Sequence, residues 1–382
     1  MKLCKVSSQP RLIFSLQVCL LFTLLALAIP NVRASVIIDK PVKPVKIGLL
    51  IPDNKSLAAK QGAELAIRKA NEKRGFNSHP FQLVVRTMEG PWGTGSKQAV
   101  DLIFEEEVWA IMGSHDGRNA HLVEQACTKT QVVFLSAWAG DPTLSQAFVP
   151  WYFSCVPNDL QQADALIDEI YERRKIEIVG LVSDNGYDAK LALNSFLKKV
   201  KASGRQEPLQ FCYDNSAKDY NILLDRINHA NVNAVVFFGQ ASPTIEIIQL
   251  MRQRKMNQLI FGSLSLLDDN QISFTEMAQF EGVTLVSPEF WSGSGKRSFR
   301  EEYYETYGYM PGAVAAYAFD GMNIIVEAIN NAGFDRNKLQ ESMASINYEG
   351  VTGIIRFDKK GNRMGVCHLM VIKKGIPVSN SR

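Results

Sequence analysis

The chain has 382 residues, of which 46% are hydrophobic and 21% charged, with a formal net charge of +3. That length suggests two domains, and that balance is the composition of a globular protein with a substantial core. No long basic block or basic-aromatic interleaving occurs, so a nucleic-acid partner is not expected.

The first 34 residues read as a signal peptide. Lys2, Lys5 and Arg11 give a positive start, residues 12–29 (LIFSLQVCLLFTLLALAI) an apolar run, and Val32-Arg33-Ala34 a cleavage site before Ser35. The rival reading is an uncleaved anchor across a thin bilayer. Cleavage near Ala34 predicts a soluble, periplasmic or otherwise secreted protein. It would also remove Cys4 and Cys19, leaving Cys127, Cys155, Cys212 and Cys367. None of these forms a CxxC pair, so no metal site is expected. Disulfides and buried free thiols both remain open, all four lying in apolar-periodic surroundings.

From residue 44 the chain alternates strand and helix. Strands are predicted over residues 45–51, 81–87, 108–112 and 132–136, with helices over 61–73, 96–106 and 120–130 between and after them. Hydrophobic strands in a β-α-β-α order argue for a parallel sheet covered by helices on both faces. The theme then restarts. Helices over 160–173, 189–202, 220–230 and 243–254 interleave with strands over 176–183, 209–213, 234–238 and 259–262. The fold class is therefore α/β, with two similar doubly wound parallel-sheet lobes. The last third holds a strand over 282–287, helices over 298–307, 313–332 and 338–346, and a closing hairpin of residues 354–357 with 367–372. These segments fit as additions to the two lobes rather than as a third domain.

Loops at the carboxyl ends of parallel strands are where open α/β sheets bind ligands, and helix N-termini there welcome anionic or carbonyl groups. Ser114, His115, Asp116 and Gly117 occupy such a loop after the third strand. The plainer alternative is that Asp116 only caps the following helix while His115 and Arg118 face water. Ala137, Trp138, Ala139 and Gly140 follow the fourth strand, with Trp138 either a wall for ligand or core packing. Trp92 could line the same mouth. In the second lobe Tyr187, Gln240, Ser263 and Leu264 hold the equivalent strand ends, as contacts or as surface turns.

Six stretches in order resemble the type I periplasmic-binding proteins, in the leucine/isoleucine/valine-binding branch of ABC importers. They are IGLLIP, GAELAIRKAN, SKQAVDLI, VVFLSAWAGDPTL, AYAFDGMNIIVEAI and TGIIRFDKKGN, spread over residues 44–375. The resemblance implies two lobes joined by three crossovers, near Pro157, Ser287 and Thr352. Lobe one would be 44–157 plus 288–351, lobe two 158–287 plus 352–376, with a tail over 377–382. It also implies capture of a small molecule, an amino acid or a related amide or carboxylate, by lobe closure, delivery to a permease in the cytoplasmic membrane, a monomer and no cofactor. A ligand-sensing module presenting its closed form to a membrane signalling partner is the alternative.

The resemblance also sets out departures. The branch grips an α-amino acid with hydroxyls where this chain has Gly117 and Gly140, and with an acid where it has Leu264. Its first cleft loop is also longer than residues 52–61 here. Either Asp116 supplies the ammonium's counter-charge, or the ligand is not a standard α-amino acid.

An enzyme is not expected. Neighbours such as Ser114, His115 and Asp116 cannot all converge on one bond, and His115 and His121 are six apart rather than at helical metal-pair spacing. No GxSxG, Walker loop or GxGxxG opens a helix.

Overall fold

The computed structural model describes residues 42–379 except 147–148, 215, 217–218 and 292–293. The expected signal peptide with its cleavage site near Ala34, and the end of the expected tail, lie outside the described residues.

Two parallel sheets of one design carry the molecule. In the first, β1 (Val45–Ile51), β2 (Phe81–Thr87), β3 (Ala110–Gly113), β4 (Val133–Ser136) and β5 (Tyr152–Ser154) lie in the order β2-β1-β3-β4-β5. The helices α1 (Leu57–Glu72), α2 (Thr94–Phe104) and α3 (Gly117–Thr130) connect them. The register sets Leu49 beside both Val85 and Met112. Leu49, Leu50, Ile111 and Met112 are fully buried, as strands sandwiched between helices require.

The second sheet repeats the plan. Its strands β6 (Val179–Ser183), β7 (Leu209–Cys212), β8 (Ala234–Phe237), β9 (Leu259–Gly262) and β10 (Thr284–Val286) run β7-β6-β8-β9-β10. Their helices are α4 (Asp159–Ile167), α5 (Tyr187–Ala202), α6 (Asn221–His229) and α7 (Ala241–Gln253). The sequence predicted one helix over 160–173; the chain instead widens into a π-helical turn over Asp168–Arg173, where buried Glu169 accepts from Arg174 Nε at 2.8 Å.

The chain then returns to the first sheet. After α8 (Ser294–Tyr307), the helix α9 (Ala313–Ala332) is buried on nearly every side and packs along α1. α10 (Arg336–Ala344) leads to a small antiparallel pair, β11 (Tyr348–Gly350) with β12 (Gly353–Ile355). Two expectations need correcting here. The predicted partner of residues 354–357, β13 (Leu369–Lys373), instead pairs antiparallel with β10 in the second sheet. The turn itself survives as an isolated bridge between Phe357 and Arg363. The tail expected from 377 also begins as structure, since β14 (Ile376–Ser379) forms the sheet's edge against β13.

Arg363 ties these passages together, donating to the carbonyls of Cys155 and Thr352 at 2.8 Å each. All four described cysteines are free thiols; Cys127 and Cys155 are buried, but Cys212 is exposed, on the outer strand β7. Among the described residues no helix is long and apolar enough to cross a membrane.

Candidate ligand-binding cleft

In both sheets the strand order reverses between the first and third strands, β1/β3 and β6/β8, and doubly wound sheets bind ligands outside the carboxyl ends at such points. The loops at these four ends face one another across a cavity of about 650 Å³. Ten residues singled out in the sequence line it: Ser114, His115, Asp116, Trp138, Ala139 and Gly140 from the first lobe, and Tyr187, Gln240, Ser263 and Leu264 from the second.

Three others do not reach its wall. Trp92 is 65% exposed and stacks under the Arg118 guanidinium, 4.4 Å from its ring centre, because its glycine-rich loop carries it outward. Ala137 is fully buried, its N–H bonded to Gly113 O at 2.8 Å as the sheet continues past β4. Gly117 lies under an acidic side chain from the other lobe, described below.

In the first lobe, Asp116 is the N-cap of α3. Oδ1 accepts from Asn119 N at 2.9 Å and Oδ2 from Asn119 Nδ2 at 2.7 Å, so both oxygens are already used. His115 is 1% exposed and lies nearly parallel to the Phe134 ring, with Nδ1 3.1 Å from Asp116 O. Burial lowers its pKa, which keeps the imidazole neutral; it does not face water as the plainer reading had it. Ser114 is 2% exposed, and its hydroxyl has no hydrogen-bond partner among the described residues. Trp138 is half-buried, edge-on to Tyr317.

In the second lobe, Leu264 donates its N–H to Gln162 Oε1 at 3.0 Å, and the Ser263 hydroxyl meets Ser265 at 2.8 Å. Gln240 donates its N–H to Asp184 Oδ2 at 3.0 Å, while Asp184 Oδ1 accepts from Gly186 N at 2.7 Å. Tyr187 opens α5 and donates from its hydroxyl to Asp141 Oδ2, 3.2 Å away on the opposite lobe.

The acids Asp159 and Asp188, which sequence reading did not single out, alter the chemistry most. Asp188 reaches across the cleft to accept from Gly117 N at 3.0 Å, at the N-terminus of α3. Its carboxyl is accessible from the cleft yet surrounded by protein. Burial first, then the charge of Asp116, raise its pKa to about 7 against the lowering effect of the Gly117 N–H, with Asp141 and Asp184 adding to the rise. Asp159, in the first turn of α4 behind a capping box of Asn158 and Gln161, is pushed well above the usual range by burial, then by Asp188 and Asp141.

The two glycines now have a physical reason. A Cβ on Gly117 would lie 2.7 Å from Asp141 Cβ and 3.0 Å from Asp188 Oδ1, and one on Gly140 only 2.5 Å from Asp159 Oδ1. The space that a side chain would fill is taken by carboxylates. Asp141 is itself paired: burial raises its pKa, but hydrogen bonds from His121 and Thr143 outweigh that and bring it below the usual value. His121 Nε2 lies 3.0 Å from Asp141 Oδ2, and Asp141 and then Glu124 hold the imidazole up to about 9.

The lobes also meet at the far end of the cleft. Asp269 accepts from the N–H groups of Gly312 at 3.0 Å and Val314 at 2.7 Å, and Asn270 Oδ1 from Ala58 N at 3.2 Å. These contacts cap the N-termini of α9 and α1 with groups from the second lobe.

Residues 44–374 match a family model described as periplasmic binding protein. Leu/Ile/Val-binding protein homolog 2 of Brucella abortus is 23% identical over 332 residues, covering 83% of this chain and 87% of that one. The branched-chain amino acid transporter substrate-binding protein LivJ of Streptococcus pneumoniae, solved with isoleucine, superimposes with a TM-score of 0.76 at 19% identity, covering 88% of this chain and 98% of that one. A solute-binding protein of R. palustris solved with benzoate gives 0.77 at 16% identity, covering 88% and 96%.

Proposed function

As a chain that belongs to the periplasmic binding proteins, in the branched-chain amino acid ABC transporter type, this is a protein for which we propose the role of extracytoplasmic substrate capture for an importer. The observation that carries the reading is the cavity of about 650 Å³ between two sheets of one design, at both switch points. A volume of that order holds a small organic molecule. Ligand enters between parted lobes, and closure strips its water and wraps it with Trp138, Phe238 and the loop amides.

The lobes we assign are 44–157 plus 288–351 and 158–287 plus 352–376, with the crossovers near Pro157, Ser287 and Thr352 as the hinge. Asp188 on Gly117 and Asp269 on α9 support a closing motion that ends in cross-lobe hydrogen bonds. The closed form then docks on a permease in the cytoplasmic membrane, the protein acting as a monomer in the periplasm.

A thermal-shift screen of residues 35–382 tests this, because a ligand that binds only the folded state raises the melting temperature by mass action. X-ray scattering with the hit compound should show a smaller radius of gyration. A compound that raises the melting temperature while leaving that radius unchanged overturns capture by lobe closure.

A further inference from the structure

The cavity wall carries Asp53, Asp116, Asp141, Asp159, Asp184, Asp188 and Asp268, against the cations Lys55 and Arg118. Most of these carboxylates are already committed within the protein. Asp53 accepts from Lys55 N, Ser56 N and the Ser56 hydroxyl, Asp116 is held by Asn119, Asp141 by His121 and Thr143, Asp184 by the Gly186 and Gln240 amides, and Asp268 by Asn270 and Gln271. Asp159 and Asp188 are different. Asp188 has the Gly117 N–H on one oxygen, and Asp159 has Gln162 Nε2 at 3.5 Å. Among the described residues neither forms an ion pair with Lys, Arg or His.

An anion is poorly received at this place. The amide at the N-terminus of α3, the natural seat for a carboxylate, is occupied by Asp188, and the face of Gly140 is covered by Asp159. A ligand carboxylate there would meet two acidic side chains. Three aromatic residues, Trp138, Phe238 and Tyr187, line the same cavity. Carboxylates beside aromatic faces are the chemistry that holds an organic ammonium, by charge on one side and ring quadrupole on the other. On the same wall the buried Ser114 hydroxyl stands without a hydrogen-bond partner. Among the described residues no group of three His, Cys, Asp or Glu side chains converges as a metal site would require, which suits an extended organic cation better than a bare ion.

Resting on the capture reading above, we propose that the ligand is an organic cation, an amine or ammonium with an apolar body, whose charge is met by Asp159 and Asp188 and whose body packs on Trp138 and Phe238. The two acids become the specificity-determining residues of the cleft. A bound cation favours their ionised forms, so affinity rises between pH 6 and pH 8 as Asp188 loses its proton. The groups that face Asp188 in this titration are Asp116, Asp141, Asp159, Asp184, Tyr187 and the Gly117 amide.

The test is calorimetry and thermal shift on residues 35–382 with benzylamine, cadaverine, agmatine and choline, against leucine, benzoate and acetamide. At least one cation should bind with a Kd below about 100 μM and weaken several-fold between 20 and 300 mM salt. Asp188→Asn and Asp159→Asn should each weaken it at least tenfold. Asp159→Asn should also raise the melting temperature of the ligand-free protein, since it removes a carboxyl whose ionisation burial, Asp188 and Asp141 all oppose; that gain shows the variant is folded while binding is lost. If leucine, benzoate or acetamide binds more tightly than every cation, the protein remains a binding protein and the cation assignment is overturned. If the Asn variants bind the cation as well as the parent chain, the two acids are not its partners and the proposal falls. A melting temperature unmoved by any compound counts against ligand capture itself, and the cation assignment falls with it.

Discussion

The two lobes share one strand order yet bring opposite groups to the cleft. The first offers helix N-termini with glycine at the entry, Gly117 at α3 and Gly312 before α9. The second sends carboxylates across to them, Asp188 and Asp269. Equal topology therefore fixes where the cleft lies but not what it attracts. Within the acids a second contrast matters. Asp320 in α9 is fully buried and accepts from Val351 N at 2.9 Å, Thr352 N at 2.7 Å and Thr352 Oγ1 at 2.6 Å. Such a carboxylate is structural, whereas Asp159 and Asp188 keep acceptor capacity free.

The largest effect should come from the structural acid. Asp320→Ala strands two buried amides and a hydroxyl, at about 3 kcal/mol in denaturant unfolding. Gly117→Ala attacks the meeting of the lobes, because its Cβ has no room beside Asp141 and Asp188. Overpacking of this kind costs roughly 1–3 kcal/mol. Since 1.4 kcal/mol is tenfold, ligand affinity should fall about ten- to a hundredfold, with a larger radius of gyration in scattering. An unchanged affinity would show that the lobes do not close on these residues.

Smaller is the pH effect of His121. Its pKa is raised in the folded protein, so its contribution is complete below its unfolded value near 6.5 and is lost as pH rises through about 9. The ligand-free melting temperature should fall from pH 7 to pH 9.5. The loss is worth about 1 kcal/mol once partial exposure is allowed for, and Asp141→Asn should flatten most of it. The smallest effect belongs to Trp92→Ala. This exposed ring outside the cavity should change ligand affinity less than about twofold in calorimetry, within the range of surface substitutions.

Most of the frame was legible before any coordinates. The strands over 45–51, 81–87 and 259–262 were placed at their observed ends, since each gathers β-branched, aliphatic or aromatic residues into one compact run. The three-residue β5 and the edge strand β14 were missed, being too short or too exposed to carry a period. At the cleft, strand-end logic brought ten of its lining residues to notice. It overreached at Trp92, where glycine-rich loop geometry and not residue type decides direction. Asp159 and Asp188 left only an indirect signal, the two glycines standing where hydroxyls were expected.

The sequence alone indicated the two-lobe α/β plan, because hydrophobic periodicity is a local property, and six of its stretches carried the family resemblance. Only the tertiary structure decided the cleft's charge. Asp188 meets Gly117 across 71 positions of chain, and Asp159 covers Gly140 because the two lobes approach there. Which carboxylates are spent on partners and which are left for a ligand depends on that approach, and no spacing within a single element encodes it.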